Sequence, residues 1–122
     1  MWGSYHQTES NIGGDWGRQT CLFIDKLKNF SNVILHGPVR TSDLVNGYQR
    51  IDAFLICYDI KKDQSRGTNY HKVMEYLTTG KVIISNNISS YNNQPDLVSM
   101  IESRIDNSEL PDFFKKIINN IG

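Results

Sequence analysis

Gly80 separates a short amphipathic stretch from a run of aliphatic residues, and that junction limits what the chain can build. The stretch from Arg66 onward reads as a loop and then a helix of roughly two to three turns. Asn69 is a candidate N-cap, because its side-chain oxygen can accept from an early helical N–H. Val73, Met74 and Leu77 give an apolar stripe at helical spacing. Gly80 falls where a helix commonly ends in a left-handed residue. Val82, Ile83 and Ile84 then form a β-branched run of the kind found in strands covered on both faces. A helix that stops on glycine and feeds such a strand is the second half of a β–α–β unit.

The polar residues of the helix allow a chemistry. Lys72 and Glu75 are three positions apart, so they share a face near the helix start. Helix N-termini attract anions through unpaired N–H groups and the helix dipole. A lysine there adds to the attraction, and a carboxylate one turn later can accept hydrogen bonds from a sugar diol. Those parts suit a nucleoside diphosphate. They are equally what a solvated surface ion pair contains, worth a few tenths of a kcal/mol.

The block NYHKVMEYLTTGKVIIS resembles the donor-side signature of GT-B glycosyltransferases. Lys72, Glu75, Tyr76, Leu77, Gly80, Lys81, Ile83 and Ile84 match that signature in order and without a gap. Val82 stands where the family usually has proline, and Tyr70-His71 replace its usual Pro-Asn. The resemblance implies that Lys72 approaches a phosphate of a nucleotide sugar and that Glu75 binds ribose hydroxyls. Many relatives place a sugar-directed glutamate at the position that Gly67 holds here, which leaves the donor sugar open.

Elsewhere the chain alternates. Arg18 to Asn29 has a helical period in Leu22, Phe23 and Leu27, with Phe30 beyond. Asn32 to Gly37 reads as a strand with Val33, Ile34 and Leu35 buried, ended by Gly37-Pro38. In the family the backbone after this glycine often contacts the base, a place taken by Val39 and Arg40; Gly37-Pro38 is also an ordinary turn. Thr41 to Arg50 is a weak helix with Leu44, Val45 and Tyr48 on one face. Ala53 to Tyr58 is the clearest buried strand, and Cys57 reads as a small buried hydrophobe. Asp59 to Thr68 is a charged loop at a strand's carboxyl end, where open α/β sheets bind ligands. Arg66, Gly67, Thr68 and Asn69 are therefore candidate donor contacts, Arg66 for the diphosphate, with Asp63 and Ser65 nearby; any of them also fits a solvated loop. The loop after Ser85 holds Tyr91, which reads either as a base-stacking ring or as an exposed tyrosine. Leu97 to Ile105 reads as a helix with Leu97, Ile101 and Ile105 inward. Pro111 opens a last helix, Asp112 to Ile121.

The expected architecture is α/β, a Rossmann-like three-layer sandwich with a mostly parallel sheet and strands at 33–36, 53–58 and 82–85. It resembles the donor-binding half of a GT-B enzyme. The abrupt start at Trp2-Gly3-Ser4 fits the end of a strand whose earlier residues are absent, with Gly3 and Ser4 bordering the diphosphate, or a natural N-terminal extension. The 122 residues are expected to form one nucleotide-sugar-binding domain, a fragment of a longer two-domain enzyme whose N-terminal acceptor-binding domain is missing. The resemblance implies a bacterial hexosyltransferase that passes a sugar to a polysaccharide or lipid-linked acceptor. Lys72, with Arg66 and the helix N-terminus, would stabilise the leaving diphosphate. The isolated chain would turn over little. A flavodoxin-like or receiver-like signalling or protein-interaction domain without catalysis, with Asp59 as the phosphoacceptor in the receiver case, is the alternative.

Composition narrows the partners. Lys plus Arg and Asp plus Glu number 13 each, so no broad basic footprint for nucleic acid exists. Cys21 and Cys57 are too far apart for a metal or redox motif, and His6, His36 and His71 lack ligand spacing. The resemblance implies the nucleotide sugar as substrate with neither cofactor nor metal, and the lack of an Asp-x-Asp pair is consistent with that. No segment approaches the ~18 apolar residues of a membrane span, and no signal peptide is visible. A cytoplasmic location follows as the expectation, with peripheral membrane association of the full-length enzyme as a further implication of the resemblance.

Overall fold

The computed structural model describes residues 14–58 and 70–121. The chain is mixed α/β and divides into two compact units, Met1–Gly47 and Tyr48–Gly122. The first unit holds helix α1 (Gly14–Lys28) and most of helix α2 (Thr41–Tyr48). The second continues with β1 (Ala53–Ile56), α3 (Tyr70–Leu77), β2 (Val82–Ser85), β3 (Ser99–Met100) and α4 (Leu110–Asn120). A 3₁₀ turn at Ser89–Tyr91 follows β2.

The strands form an open sheet in the order β1-β2-β3, and both pairings are parallel. Ala53 lies beside Val82 and Ile56 beside Ser85, while Ile84 and Ser85 lie beside Ser99 and Met100. Alternate side chains of a strand point to opposite faces. On one face Ile84 packs with Ile101 and Leu110, and Ala53, Val82, Phe113, Phe114, Ile117 and Ile118 close around them. On the other, Phe54 stacks on Tyr76 of α3 with ring centroids 4.0 Å apart. The sheet thus meets α4 on one side and α3 on the other. Val73, Ile84 and Ile88 are fully buried.

Parallel pairing of β1 and β2 fixes the direction of α3. The link from Leu77 to Val82 is short, so α3 ends near the start of β2. An eight-residue helix is about 12 Å long, close to the ~13 Å of a four-residue strand. The first turn of α3 is therefore directed toward the carboxyl ends of the strands. The stack of Tyr76, late in α3, on Phe54, early in β1, agrees with that direction. Gly80 stops the helix with a φ of +68°.

Several sequence expectations are corrected. Residues 33–36 form no regular strand; Gly37 makes an isolated bridge and Ile34 stays 66% exposed. Apolar residues alone do not make a strand where one of them faces water. Leu97 to Ile105 is not a helix: it contains a turn, β3 and an irregular path. Side chains there divert backbone donors, as Ser103 Oγ does for Ile105 N–H and Asp106 Oδ1 for Ser108 N–H. α1 turns a different face inward: Ile24 is buried, whereas Leu22, Phe23 and Phe30 are exposed. Leu55 is exposed within β1, and Met74 within α3. Cys57 is exposed, lying just past the end of β1, and Tyr91 is buried.

Candidate functional site

α3 carries the two residues on which the sequence reading rests. Lys72 lies in its first turn and Glu75 one turn on, both exposed. The Glu75 carboxylate is oriented by a tyrosine: the Tyr48 hydroxyl donates to Glu75 Oε2 at 3.3 Å. Tyr48 is the last residue of α2 and is buried. Its ring stands edge-on to Phe54, with centroids 5.2 Å apart, and edge-on to Tyr76 at 5.7 Å. With the Phe54–Tyr76 stack these rings form a three-sided aromatic cluster beneath Glu75. T-shaped pairs such as the two that Tyr48 makes contribute about 0.5–1.5 kcal/mol beyond the area they bury.

The cluster sets the protonation of its members. Burial pushes the Tyr48 phenol up to about 12, and Tyr76 and the carboxylate of Glu75 push the same way. Tyr76 is also raised, first by burial and then by Glu75 and Tyr58. Tyr48 thus keeps its proton across the ordinary pH range and donates it to one oxygen of Glu75. A carboxylate has about four acceptor positions, so most of this one's capacity is left for a ligand.

The carboxyl ends of the strands are tied by asparagines. Asn86 N–H donates to Ile56 C=O at 3.2 Å, and Asn86 Oδ1 accepts from Tyr58 N–H at 3.0 Å. Asn107 Nδ2 donates to Tyr58 C=O at 2.8 Å. Asn87 Nδ2 donates to Ile101 C=O at 3.1 Å. Both main-chain groups of Tyr58, where β1 has ended, are met by side-chain amides. Ser85 Oγ, Asn87 Oδ1 and Asn107 Oδ1 are buried at this edge without a partner among the described residues.

Val39 and Arg40 belong to the first unit, where Arg40 C=O starts α2 by accepting from Asp43 and Leu44 N–H, each at 3.0 Å. The Arg40 guanidinium lies 3.6 Å from the Asp43 carboxylate on an exposed surface. Arg66, Gly67, Thr68 and Asn69 lie outside the described residues, as do Asp59, Asp63, Ser65, Gly3 and Ser4. Among the described residues no cluster of acidic, histidine or cysteine side chains is placed to hold a metal ion. No helix among them is long and apolar enough to cross a membrane.

Sequence reasoning missed Tyr48, which it placed on the apolar face of α2 with Leu44 and Val45. A tyrosine whose hydroxyl has to find a partner on burial was the available signal. It also gave no role to the asparagines in the loop after Ser85. Fold and site together define a mixed α/β protein with a small parallel sheet and an oriented carboxylate on its crossover helix. No family model matches the chain, and no curated protein or solved structure does so either.

Proposed function

We propose that the chain is the donor-binding part of a GT-B-like glycosyltransferase, a Rossmann-like α/β/α layer that holds a nucleoside diphosphate sugar at the carboxyl edge of its sheet. Glu75 accepts the ribose hydroxyls, and Lys72 meets the diphosphate at the start of α3. The observation that carries this reading is the exposed Glu75 carboxylate, held by Tyr48 at 3.3 Å on the crossover helix of a parallel sheet. Further support comes from the direction of α3, which aims Lys72 toward the edge where open α/β sheets bind ligands. The full-length enzyme would pass the sugar to a polysaccharide or lipid-linked acceptor without bound metal, the lysine stabilising the charge that develops on the leaving diphosphate.

Ligand-observed NMR with UDP, GDP and free sugars tests the reading. Selective binding of one diphosphate by the wild-type chain, lost in both Lys72→Ala and Glu75→Ala, is the expected result. A folded chain that binds neither diphosphate, or binds one equally well in both variants, overturns it.

A further inference from the structure

We infer that Tyr48 is a positioning residue for ribose recognition: it holds one oxygen of Glu75 so that the other faces the vicinal hydroxyls of a ribonucleoside diphosphate. The inference rests on the donor-binding reading above and adds to it a residue that touches no ligand.

A glutamate on an exposed helix face samples several rotamers, and ordering such a side chain costs up to about 2 kcal/mol. Tyr48 meets part of that cost before a ligand arrives. Its ring is 7% exposed and is wedged edge-on against Phe54 and Tyr76, which leaves the phenol little freedom. The phenol reaches Glu75 Oε2 and leaves Oε1 to accept. At 3.3 Å the contact is longer than the usual O–H···O separation. Contacts of this length in unliganded sites commonly tighten when the ligand loads. A vicinal diol offers two donors, and a carboxylate whose plane is fixed can meet both at once, whereas a rotating one pays to do so. The benefit therefore depends on the diol. A 2′-deoxyribose, with one hydroxyl removed, cannot draw on it.

Calorimetric titration of the full chain and of Tyr48→Phe with UDP, GDP and their 2′-deoxy counterparts tests the inference. Phenylalanine keeps the ring and its packing and removes only the hydroxyl. The expected result is a loss of roughly three- to tenfold in affinity for the ribonucleotide, the equivalent of one hydrogen bond, with deoxyribonucleotide affinity unchanged. Equal affinities of wild type and variant for the ribonucleotide overturn the inference while leaving the donor-binding reading intact. An equal loss for ribo- and deoxyribonucleotides also overturns it, because a merely structural tyrosine does that. Wild-type chain that binds none of the four removes the donor-binding reading and this inference with it.

Discussion

Gly80 has a φ of +68°, and a Cβ built there meets no atom within 4 Å. Space is therefore not the reason for glycine; backbone conformation is. An L-residue in the left-handed region costs about 1–2 kcal/mol, while asparagine tolerates it better through local hydrogen bonding. Urea unfolding of Gly80→Ala is expected to show a loss of that size, and Gly80→Asn a smaller one. Equal stability of the alanine variant and wild type would contradict the assigned backbone. This glycine, and with it the helix stop, was readable directly from sequence because the requirement is local. Tyr48 shows the opposite case. Its partner Glu75 lies 27 positions away, and no local pattern announces a hydrogen bond over that distance.

The elements separate in the same way. α3, β2 and α4 were legible because each carries its own signals: amphipathic spacing, a glycine stop, a β-branched run, a proline in the first turn. β2 is the central strand, and Ile83, Ile84 and Ser85 are all buried, as a run covered on both faces requires. The segment from Leu97 to Ile105 was misread because its apolar residues fit helical spacing by coincidence. The two-residue strand β3 has too little length to show any period, and its pairing to Ile84 and Ser85 is what orders it. Burial distinguishes the alternatives: a helix would put Leu97, Ile101 and Ile105 inward, but Ile101 is 3% exposed and Ile105 is 85% exposed. Ile101→Ala is expected to cost about 2–5 kcal/mol in denaturant unfolding, whereas Leu97→Ala and Ile105→Ala should stay within about 0.5 kcal/mol of wild type. Comparable losses at all three positions would restore the helix. Of the proposed site, Lys72 and Glu75 were singled out by their spacing on one element. The asparagine ties were not, since each joins chain segments that only the folded sheet brings together.

Taken as one folding unit, the residues from Tyr48 onward carry an alkaline sensitivity. Tyr48 ionises near 10 when unfolded and near 12 when folded. Folding therefore favours the protonated phenol, and the unfolded chain loses that proton first as pH rises. The stability due to this group is fully present below about pH 10 and is lost between about pH 10 and 12. Tyr76 is raised too and contributes in the same direction. Thermal unfolding followed across this range should show wild type falling more steeply than Tyr48→Phe, which has no phenol to ionise at that position. Parallel declines would mean that Tyr48 titrates normally in the folded chain.

The asparagine ties at the carboxyl edge of the sheet have a consequence for any binding measurement. Asn86, Asn87 and Asn107 join the strand ends through amides, which neither gain nor lose a proton between acid and alkali and which dissolved ions screen little. A carboxylate or an ammonium group in the same place would let the edge slacken with acidity or ionic strength. Here the ties are neutral, and the two residues of the proposed site, Lys72 and Glu75, are the charged ones. If the proposed nucleotide site is right, a change in its affinity with acidity or salt, below the alkaline limit set by Tyr48, is expected to come from those two charges and the ligand's own phosphates and not from the asparagine ties.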